Sequence, residues 1–190
     1  MIGVTIDSLH LGDRAQITRV AADDDIAGFV RSVGDHNPIH SDRAYAASTP
    51  FKERIAPGLW TAGLVSAVIG TRLPGPGTIY VSQDLRFLKP VLSGDAITAE
   101  VEVVDINRER NRVRLKTTCV NQRGEPILVG EALVMPSRTP VAYAEAPGGR
   151  GLLALWTLPP WAWVAQTAAL WGMLALSAWT AAARPSFPRG

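Results

Sequence analysis

The sequence predicts an α+β fold in which a curved antiparallel sheet wraps around one central helix. The first observation is the segment 59–69, which contains no charged residue and follows a Pro-Gly pair. A helix that is apolar on every side is expected to be buried. The second observation is a meander of four segments with two-residue periodicity, at residues 78–88, 95–106, 112–120 and 127–135.

A strand and two helices are predicted before the central helix. Residues 14–20 have the composition of a short strand. The three aspartates at 23–25 offer an N-cap and first-turn acids to a helix whose apolar residues recur at helical spacing as far as Val33. This helix is expected to end at Gly34, and residues 42–48 are compatible with another short helix.

Residues 34–40 carry the most chemical information in the chain, and they read Gly-Asp-His-Asn-Pro-Ile-His. The proline biases the asparagine before it toward an extended conformation and withdraws a backbone donor. The segment is therefore predicted to be a rigid turn rather than a regular helix. A carboxylate and an imidazole on stiff backbone suit general acid/base chemistry.

Asp35 and His40 are the predicted catalytic pair of this segment. His36 and His40 are four residues apart, which is a metal-ligand spacing on a helix, but the proline breaks that geometry. The remaining histidine, His10, is a poor third ligand, so no metal site is predicted. A structural, hydrogen-bonded role is favoured for His36.

Two residues of the central helix are candidates for binding a substrate. Gly58 has no side chain, so a ligand can approach its N–H at the start of the helix, where developing negative charge is stabilised. A simple helix start explains the Pro57-Gly58 pair equally well. Ser66 has two open interpretations: a hydrogen bond to a carbonyl one turn earlier, or a position facing a site at the sheet surface.

The other strand residues indicate structural roles. Ile97, Ala99, Val101 and Val103 share one face of the segment 95–106, and Cys119 is predicted to be a buried strand thiol. Five basic residues recur at every second position and would share one strand face, which is interpreted as a solvated face rather than a phosphate-binding stripe: Arg108, Arg110, Arg112, Arg114 and Lys116. Without interleaved aromatic residues, nucleic-acid binding is not indicated.

The chain divides at about residue 150 into two kinds of sequence. All 17 acidic residues precede Arg150, and the hydrophobic tail, residues 151–190, holds five of the six tryptophans. Residues 1–136 are predicted to form the folded domain, with a linker at 137–150. Acidic and basic residues near the amino terminus exclude a signal peptide, which favours a cytoplasmic location.

A hydrophobic helical extension is predicted within the tail. Residues 161–183 are uncharged and, at 23 residues, long enough to span a bilayer, with tryptophans near both ends. Membrane association through this segment and its docking on the domain or on a partner are both left open.

These motifs resemble the MaoC-like hot-dog family, and within it the (R)-specific enoyl-CoA hydratases of polyhydroxyalkanoate synthesis. The resemblance covers about residues 5–136 and includes the 34–40 motif, followed at matching spacing by residues 51–103. It places the family's acid and histidine on Asp35 and His40, its serine on Ser66 and its oxyanion-binding glycine on Gly58. Many relatives have a histidine before that glycine, where this chain has Pro57.

The resemblance implies a hot-dog fold, a homodimer and the hydration of a trans-2-enoyl-CoA to an (R)-3-hydroxyacyl-CoA, linking fatty-acid metabolism to polyhydroxyalkanoate or related pathways. Asp35 and His40 would hold one water, and the Gly58 amide would stabilise the thioester oxygen. The acyl-CoA is the substrate, and no cofactor is needed. Arg86 and Lys89 are weaker candidates for contacting the CoA phosphates.

Three alternatives remain. A dehydratase acting on acyl carrier protein would use the same residues in reverse. A hot-dog thioesterase commonly has an acid in the central helix, and residues 59–69 contain none. A non-catalytic acyl-binding module would not require the intact pair of Asp35 and His40.

Overall fold

In a computed structural model, which describes residues 1–143, the hydrophobic core lies between one helix and the inner face of a five-stranded antiparallel sheet. The strands are β1 (Ile2–Gly3), β2 (Arg14–Val20), β3 (Ile79–Phe87), β4 (Ala96–Asn107), β5 (Arg112–Val120), β6 (Pro126–Met135) and β7 (Val141–Ala142). The helices are α1 (Asp23–Val33), α2 (Pro38–Ser41), α3 (Arg43–Ser48) and α4 (Gly58–Thr71), and a short 3-10 helix covers Ile6–Ser8. The predicted α+β class is confirmed.

The sheet has the strand order β2-β4-β5-β6-β3. The predicted strands all form, each within one residue of its expected ends. The predicted meander is correct only for β4, β5 and β6, because β3 pairs with β6 at the far edge and not with β4. This arrangement leaves β3 as an edge strand of the five-stranded sheet.

The central helix α4 is buried on one face only. Its buried residues are Trp60, Thr61, Leu64, Val65, Val68 and Ile69. Its opposite face is exposed and consists of Leu59, Gly63, Ser66 and Gly70. The expectation of burial on every side is therefore wrong within one chain, because a single sheet curves around only one side of the helix.

The inner face of the sheet follows the predicted alternation. Ile97, Ala99, Val101 and Val103 of β4 are all buried. Cys119 of β5 is fully buried as predicted, and burial raises the pKa of its thiol to about 12. A thiol with that pKa is uncharged at neutral pH and packs as a small apolar group.

The two ends of the described chain meet in a separate two-stranded sheet. β1 pairs with β7, and the amino-terminal nitrogen of Met1 donates a hydrogen bond to the Tyr143 carbonyl at 2.8 Å. Part of the segment predicted as a linker, 137–150, is thus paired with the amino terminus. The predictions for the rest of that segment and for the tail, including residues 161–183, lie outside the described residues.

Within residues 1–143, none of the helices combines the length and apolar character needed to cross a membrane.

Replacing Gly130 with alanine tests the pairing of β3 with β6. A Cβ at this position would collide with the backbone oxygen of Asp84, which has little freedom to move within the sheet. We expect Gly130→Ala to lower the free energy of unfolding by about 1–3 kcal/mol or more, as overpacking does. Chemical denaturation measures this change.

Gly28→Ala in α1 is the matched control. The nearest atom to a Cβ there is the Arg31 guanidinium at 3.9 Å, an ordinary contact. Alanine should therefore raise the free energy of unfolding by about 0.5–1 kcal/mol through its better helix propensity. Wild-type stability in Gly130→Ala would contradict the close approach of the two strands.

Candidate active site

The segment that carries Asp35 and His40 begins where α1 ends. Gly34 caps this helix in the left-handed conformation, with φ of 72°, which turns the chain out of the helical path. The cap at the other end of α1 is Ala22, so the predicted N-cap acids occupy the first turn instead. The carboxyl end of α1 is thus defined by a local capping residue, whereas its amino end has no side-chain cap.

The proline of the 34–40 segment starts a helix instead of preventing one. Pro38 is the first residue of the single-turn helix α2, and the Asn37 side chain caps it by accepting a hydrogen bond from the Ile39 N–H at 3.3 Å. The prediction of a turn without helix is therefore wrong for residues 38–41. Proline is well suited to the first helical position because its missing N–H would be unpaired there in any case.

Asp35 and His40 face each other in this segment. His40 Nδ1 lies 2.7 Å from the Ile55 carbonyl oxygen, and His40 Nε2 lies 3.6 Å from Asp35 Oδ2. The other carboxylate oxygen, Oδ1, accepts a hydrogen bond from the Asn37 N–H at 3.2 Å. The His40 side chain is 10% exposed and that of Asp35 is 38% exposed, so the pair opens to solvent on the carboxylate side. His36 is exposed.

The Ile55 carbonyl determines which nitrogen of His40 carries the proton. A carbonyl oxygen can only accept, so Nδ1 donates to it and the neutral ring has its lone pair on Nε2. That lone pair faces the Asp35 carboxylate across a gap too long for a direct hydrogen bond. One water molecule could donate one O–H to each group, so the pair is suited to holding and deprotonating water.

A cleft of about 490 Å³ lies beside this pair. Its lining is mostly apolar and consists of Phe51, Ile55, Ala56, Gly58, Leu59, Thr61, Phe87, Leu88, Lys89, Pro90, Val91 and Ile127. Asp35 and His40 are absent from this lining within the part of the chain described. Ile55 connects the two regions, because it lines the cleft and its carbonyl accepts from His40.

Gly58 is the first residue of α4 and lies in the cleft wall. The first N–H groups of a helix have no acceptor within the helix, so they are available to a ligand. The Phe87 ring covers this position so closely that a Cβ on Gly58 would lie 2.9 Å from its Cε1 atom. Glycine therefore leaves room for the Phe87 ring, which a side chain here would displace, and keeps the amide accessible.

The other predicted site residues lie apart from the pair. Ser66 is eight residues after Gly58, about 12 Å farther along the helix axis, on the exposed face of α4. Arg86 lines a separate depression on the outer sheet surface with Lys116 and Glu131. Lys89 lines the cleft, and its ammonium donates to Glu125 at 2.6 Å.

Two site residues were missed by sequence reasoning. Ile55 acts through its backbone carbonyl, which has no signature in a side-chain pattern. Phe87 lies at the end of a strand predicted correctly, but its contact with Gly58 joins positions 29 residues apart. Among residues 1–143, no group of three or more histidine, cysteine or acidic side chains could hold a metal ion.

The chain is similar to known proteins of one family. Residues 8–123 match the family model described as MaoC like domain. A 3-hydroxybutyryl-CoA dehydratase of Methylorubrum extorquens is 48% identical over 128 residues, covering 67% of this chain and 81% of the relative. An (R)-specific enoyl-CoA hydratase of Rhodospirillum rubrum is 45% identical over 133 residues, covering 70% and 92%.

A solved structure shares the fold. The R-hydratase PhaJ1 from Pseudomonas aeruginosa, in its unliganded form, superposes with a TM-score of 0.71 at 44% sequence identity. The match covers 77% of this chain and 95% of that chain. The predicted hot-dog fold is thereby confirmed for the described residues.

Glu125 and the two basic side chains paired with it, Lys89 and Arg123, give a pH-dependent prediction. Hydrogen bonds from Lys89, then Asn121 and Arg123, lower the pKa of Glu125 to about 2. A carboxyl group whose pKa is lowered by folding stabilises the protein above its ordinary pKa of 4.5, and this contribution is lost as pH falls toward 2. We therefore expect Glu125→Gln to unfold at a lower temperature than wild type at pH 7.

The difference in melting temperature between the two proteins should narrow steadily from pH 5 to pH 2, as followed by circular dichroism. A difference that stays constant over this range would show that the carboxylate is not stabilised by its hydrogen-bond partners.

Proposed function

The chain belongs to the MaoC-like family, and from that premise we propose that it is a hydro-lyase. Its proposed reaction is the (R)-specific hydration of a trans-2-enoyl-CoA to an (R)-3-hydroxyacyl-CoA, together with the reverse dehydration. Relatives with 48% and 45% identity carry the names of a dehydratase and a hydratase of CoA thioesters. The observation that carries the proposal is the placement of His40 Nε2 and Asp35 Oδ2, 3.6 Å apart, beside an apolar cleft.

In the proposed addition, the water held between Asp35 and His40 attacks the β-carbon of the enoyl thioester. A C–O bond forms at that carbon, and the π electrons move toward the α-carbon and the thioester oxygen. One of the two groups takes the proton of the water while the other holds its second O–H. The group that took the proton then delivers it to the α-carbon, which restores that group and completes the addition of H and OH across the double bond. No electrons are gained or lost overall, so the chemistry requires no redox cofactor.

The Gly58 amide is proposed to stabilise the thioester oxygen as it gains negative charge. It lies in the same cleft wall as Ile55, whose carbonyl positions His40. An N–H that is fixed toward a developing oxyanion typically contributes about 3 kcal/mol to lowering the barrier. Pro57 has no N–H to contribute, but it buries its ring at the start of α4.

The apolar cleft is proposed to receive the acyl-thioester part of the substrate. Lys89 at its rim is better placed than Arg86 to contact the CoA phosphates, because Arg86 lies in a different depression. Lys89 would exchange its partly exposed ion pair with Glu125 for a phosphate, while Glu125 would keep its hydrogen bonds from Asn121 and Arg123.

A second copy of this chain is the proposed partner. The exposed face of α4 includes Leu59, Gly63 and Ser66. Gly63 has no side chain and Ser66 a small one, so another chain can approach the helix closely at these positions. The edge strand β3 also exposes Ile79 and Val81. Covering these residues in a homodimer would complete the burial expected for an uncharged helix and would place Ser66 at the interface.

The alternative activities are less well supported. A dehydratase acting on acyl carrier protein would use the same pair, and rates with crotonyl-CoA and with crotonyl-carrier protein distinguish the two carriers. A thioesterase with an acid in the central helix does not fit α4, which has none. The cytoplasmic location and the membrane association of residues 161–183 stay predictions.

Substitutions in the catalytic pair test the proposed reaction. Asp35→Asn and His40→Gln each remove one of the two groups that hold the water. Each should lower the rate of crotonyl-CoA hydration by at least about 10²-fold, the usual contribution of a general acid/base. The rate is measured as the loss of enoyl absorbance.

His36→Gln is the matched control, because it removes an exposed histidine of the same segment. Its rate should equal that of wild type. A hydration rate near wild type in Asp35→Asn or His40→Gln, in a protein that is folded by circular dichroism, would exclude the proposed mechanism.

A glutamate on the exposed face of α4 tests the proposed dimer. A Cβ at Gly63 meets nothing within 4 Å, so Gly63→Glu should leave one folded chain intact. The charge would be buried in a dimer without a partner, so light scattering should show a shift to monomer. Gly28→Glu in α1 controls for glycine replacement in a helix. A stable dimer in Gly63→Glu would place the interface elsewhere.

A further inference from the structure

We propose that Arg54 is a positioning residue, which fixes the Ile55 carbonyl and through it the orientation and tautomer of His40. Arg54 immediately precedes Ile55 in the chain and does not line the cleft within the described residues. Its role would be to hold the acceptor on which the geometry of the catalytic pair depends. The kinetic part of this inference rests on the proposed hydratase function.

The Arg54 side chain is held by a carboxylate at the start of α1. Its Nη2 atom donates to Asp23 Oδ2 at 2.8 Å, and only 22% of the Arg54 side chain is exposed. The hydroxyl of Ser93 donates to the other oxygen, Asp23 Oδ1, at 2.6 Å. One carboxylate therefore connects the chain segment before α4 with the segment before β4.

Backbone pairing joins the same two segments. Ile55 forms an isolated antiparallel bridge with Leu92, and the Ala56 N–H donates to the Val91 carbonyl at 2.8 Å. The Ile55 carbonyl and the Ala56 N–H belong to one planar peptide group, so the hydrogen bond to Val91 fixes one side of that group. The Arg54 anchor, one residue earlier, restricts the backbone about which this group turns, and the carbonyl of the group accepts from His40.

The orientation of the Ile55 carbonyl decides which nitrogen of the His40 ring can accept a proton. While the Ile55 carbonyl faces Nδ1, the neutral ring keeps its lone pair on Nε2, toward Asp35. If the carbonyl turns away, Nδ1 loses its acceptor and the ring can adopt the other tautomer. The group facing Asp35 would then be an N–H donor, which cannot accept a proton from water.

α1 is linked to both members of the catalytic pair: Asp35 follows its last turn, and Asp23 in its first turn anchors Arg54, the residue before Ile55. Asp23 is its first residue and anchors Arg54, whereas Asp35 follows its last residue by two positions. The 11-residue helix spans about 16 Å and is a rigid link between these positions. Hydrogen bonds from Ser93 and then Arg54 lower the pKa of Asp23, which keeps the anchoring carboxylate ionised.

Arg43 provides a matched control in the same polar depression. Its guanidinium lies 4.0 Å from Asp23, but its side chain is 84% exposed, and it is distant in sequence from Ile55. Lys52 and Glu53 are the other charged residues that line this depression. Arg43→Gln therefore removes the same charge beside the same carboxylate without releasing the Ile55 peptide.

The kinetic test uses the full-length chain and crotonyl-CoA. Arg54→Gln should lower kcat about 10-fold with a change in KM of less than about twofold, since a misplaced catalytic group affects the chemical step more than binding. Arg54→Lys should recover most of kcat, and Arg43→Gln should match wild type. Asp23→Ala should give the same loss as Arg54→Gln, and the double variant should be no worse than either.

The spectroscopic test reads His40 directly. The chain has three histidines, so His10→Gln and His36→Gln assign the imidazole signals in a nitrogen-15 NMR spectrum. Wild type and Arg43→Gln should show His40 protonated on Nδ1, whereas Arg54→Gln should show a mixture of tautomers. If Arg54→Gln does not fold, Asp23→Ala, which removes the acceptor of Arg54, and Ser93→Ala, which loosens that acceptor, supply the same comparison.

The inference is overturned if kcat of Arg54→Gln stays within twofold of Arg43→Gln, or if its His40 remains fully protonated on Nδ1. A wild-type protein that does not hydrate crotonyl-CoA would refute the proposed function instead. In that case the tautomer comparison still decides whether Arg54 positions His40.

Discussion

Burial of one face of α4 against the inner face of the sheet is the interaction on which the rest of the structure depends. α4 packs on β2, β3, β4 and β5, and Val65 and Val68 are completely buried there. Each such side chain contributes about 1.5–3 kcal/mol when fully removed from water. This packing fixes the amino-terminal end of α4, and with it Gly58, at the wall of the apolar cleft.

The proposed catalytic pair depends on a second, smaller set of constraints outside the sheet. Asp35 and His40 lie after α1, in a segment without buried apolar anchors of its own. Their geometry is provided by single hydrogen bonds, above all the one between His40 and the Ile55 carbonyl. Because Ile55 also lines the cleft, one residue relates the acid/base pair to the space proposed for the substrate. The fold thus combines a rigid core with a site assembled from loops, as is common in enzymes.

The absence of charge in α4 predicted burial on every side, but one folded chain buries only one face of this helix. Its exposed face keeps the apolar and small residues that suggested complete burial, including Leu59 and Gly63. One chain therefore leaves exposed an uncharged helix face whose composition is typical of a buried surface. A second copy, as proposed above, would cover this face and Ser66 with it.

Sequence alone determined the strands, the central helix, the end of α1 at Gly34 and the identity of Asp35 and His40 as the acid/base candidates. These features depend on the spacing of apolar residues and on the conformations open to glycine and proline, both of which can be read from residues adjacent in the sequence. Only the tertiary structure decided that β3 pairs with β6, that Phe87 covers Gly58 and that the Ile55 carbonyl hydrogen-bonds to His40. These contacts join segments distant in the chain, and the acceptor that orients His40 is a backbone carbonyl, a group that every residue has and no side-chain pattern distinguishes.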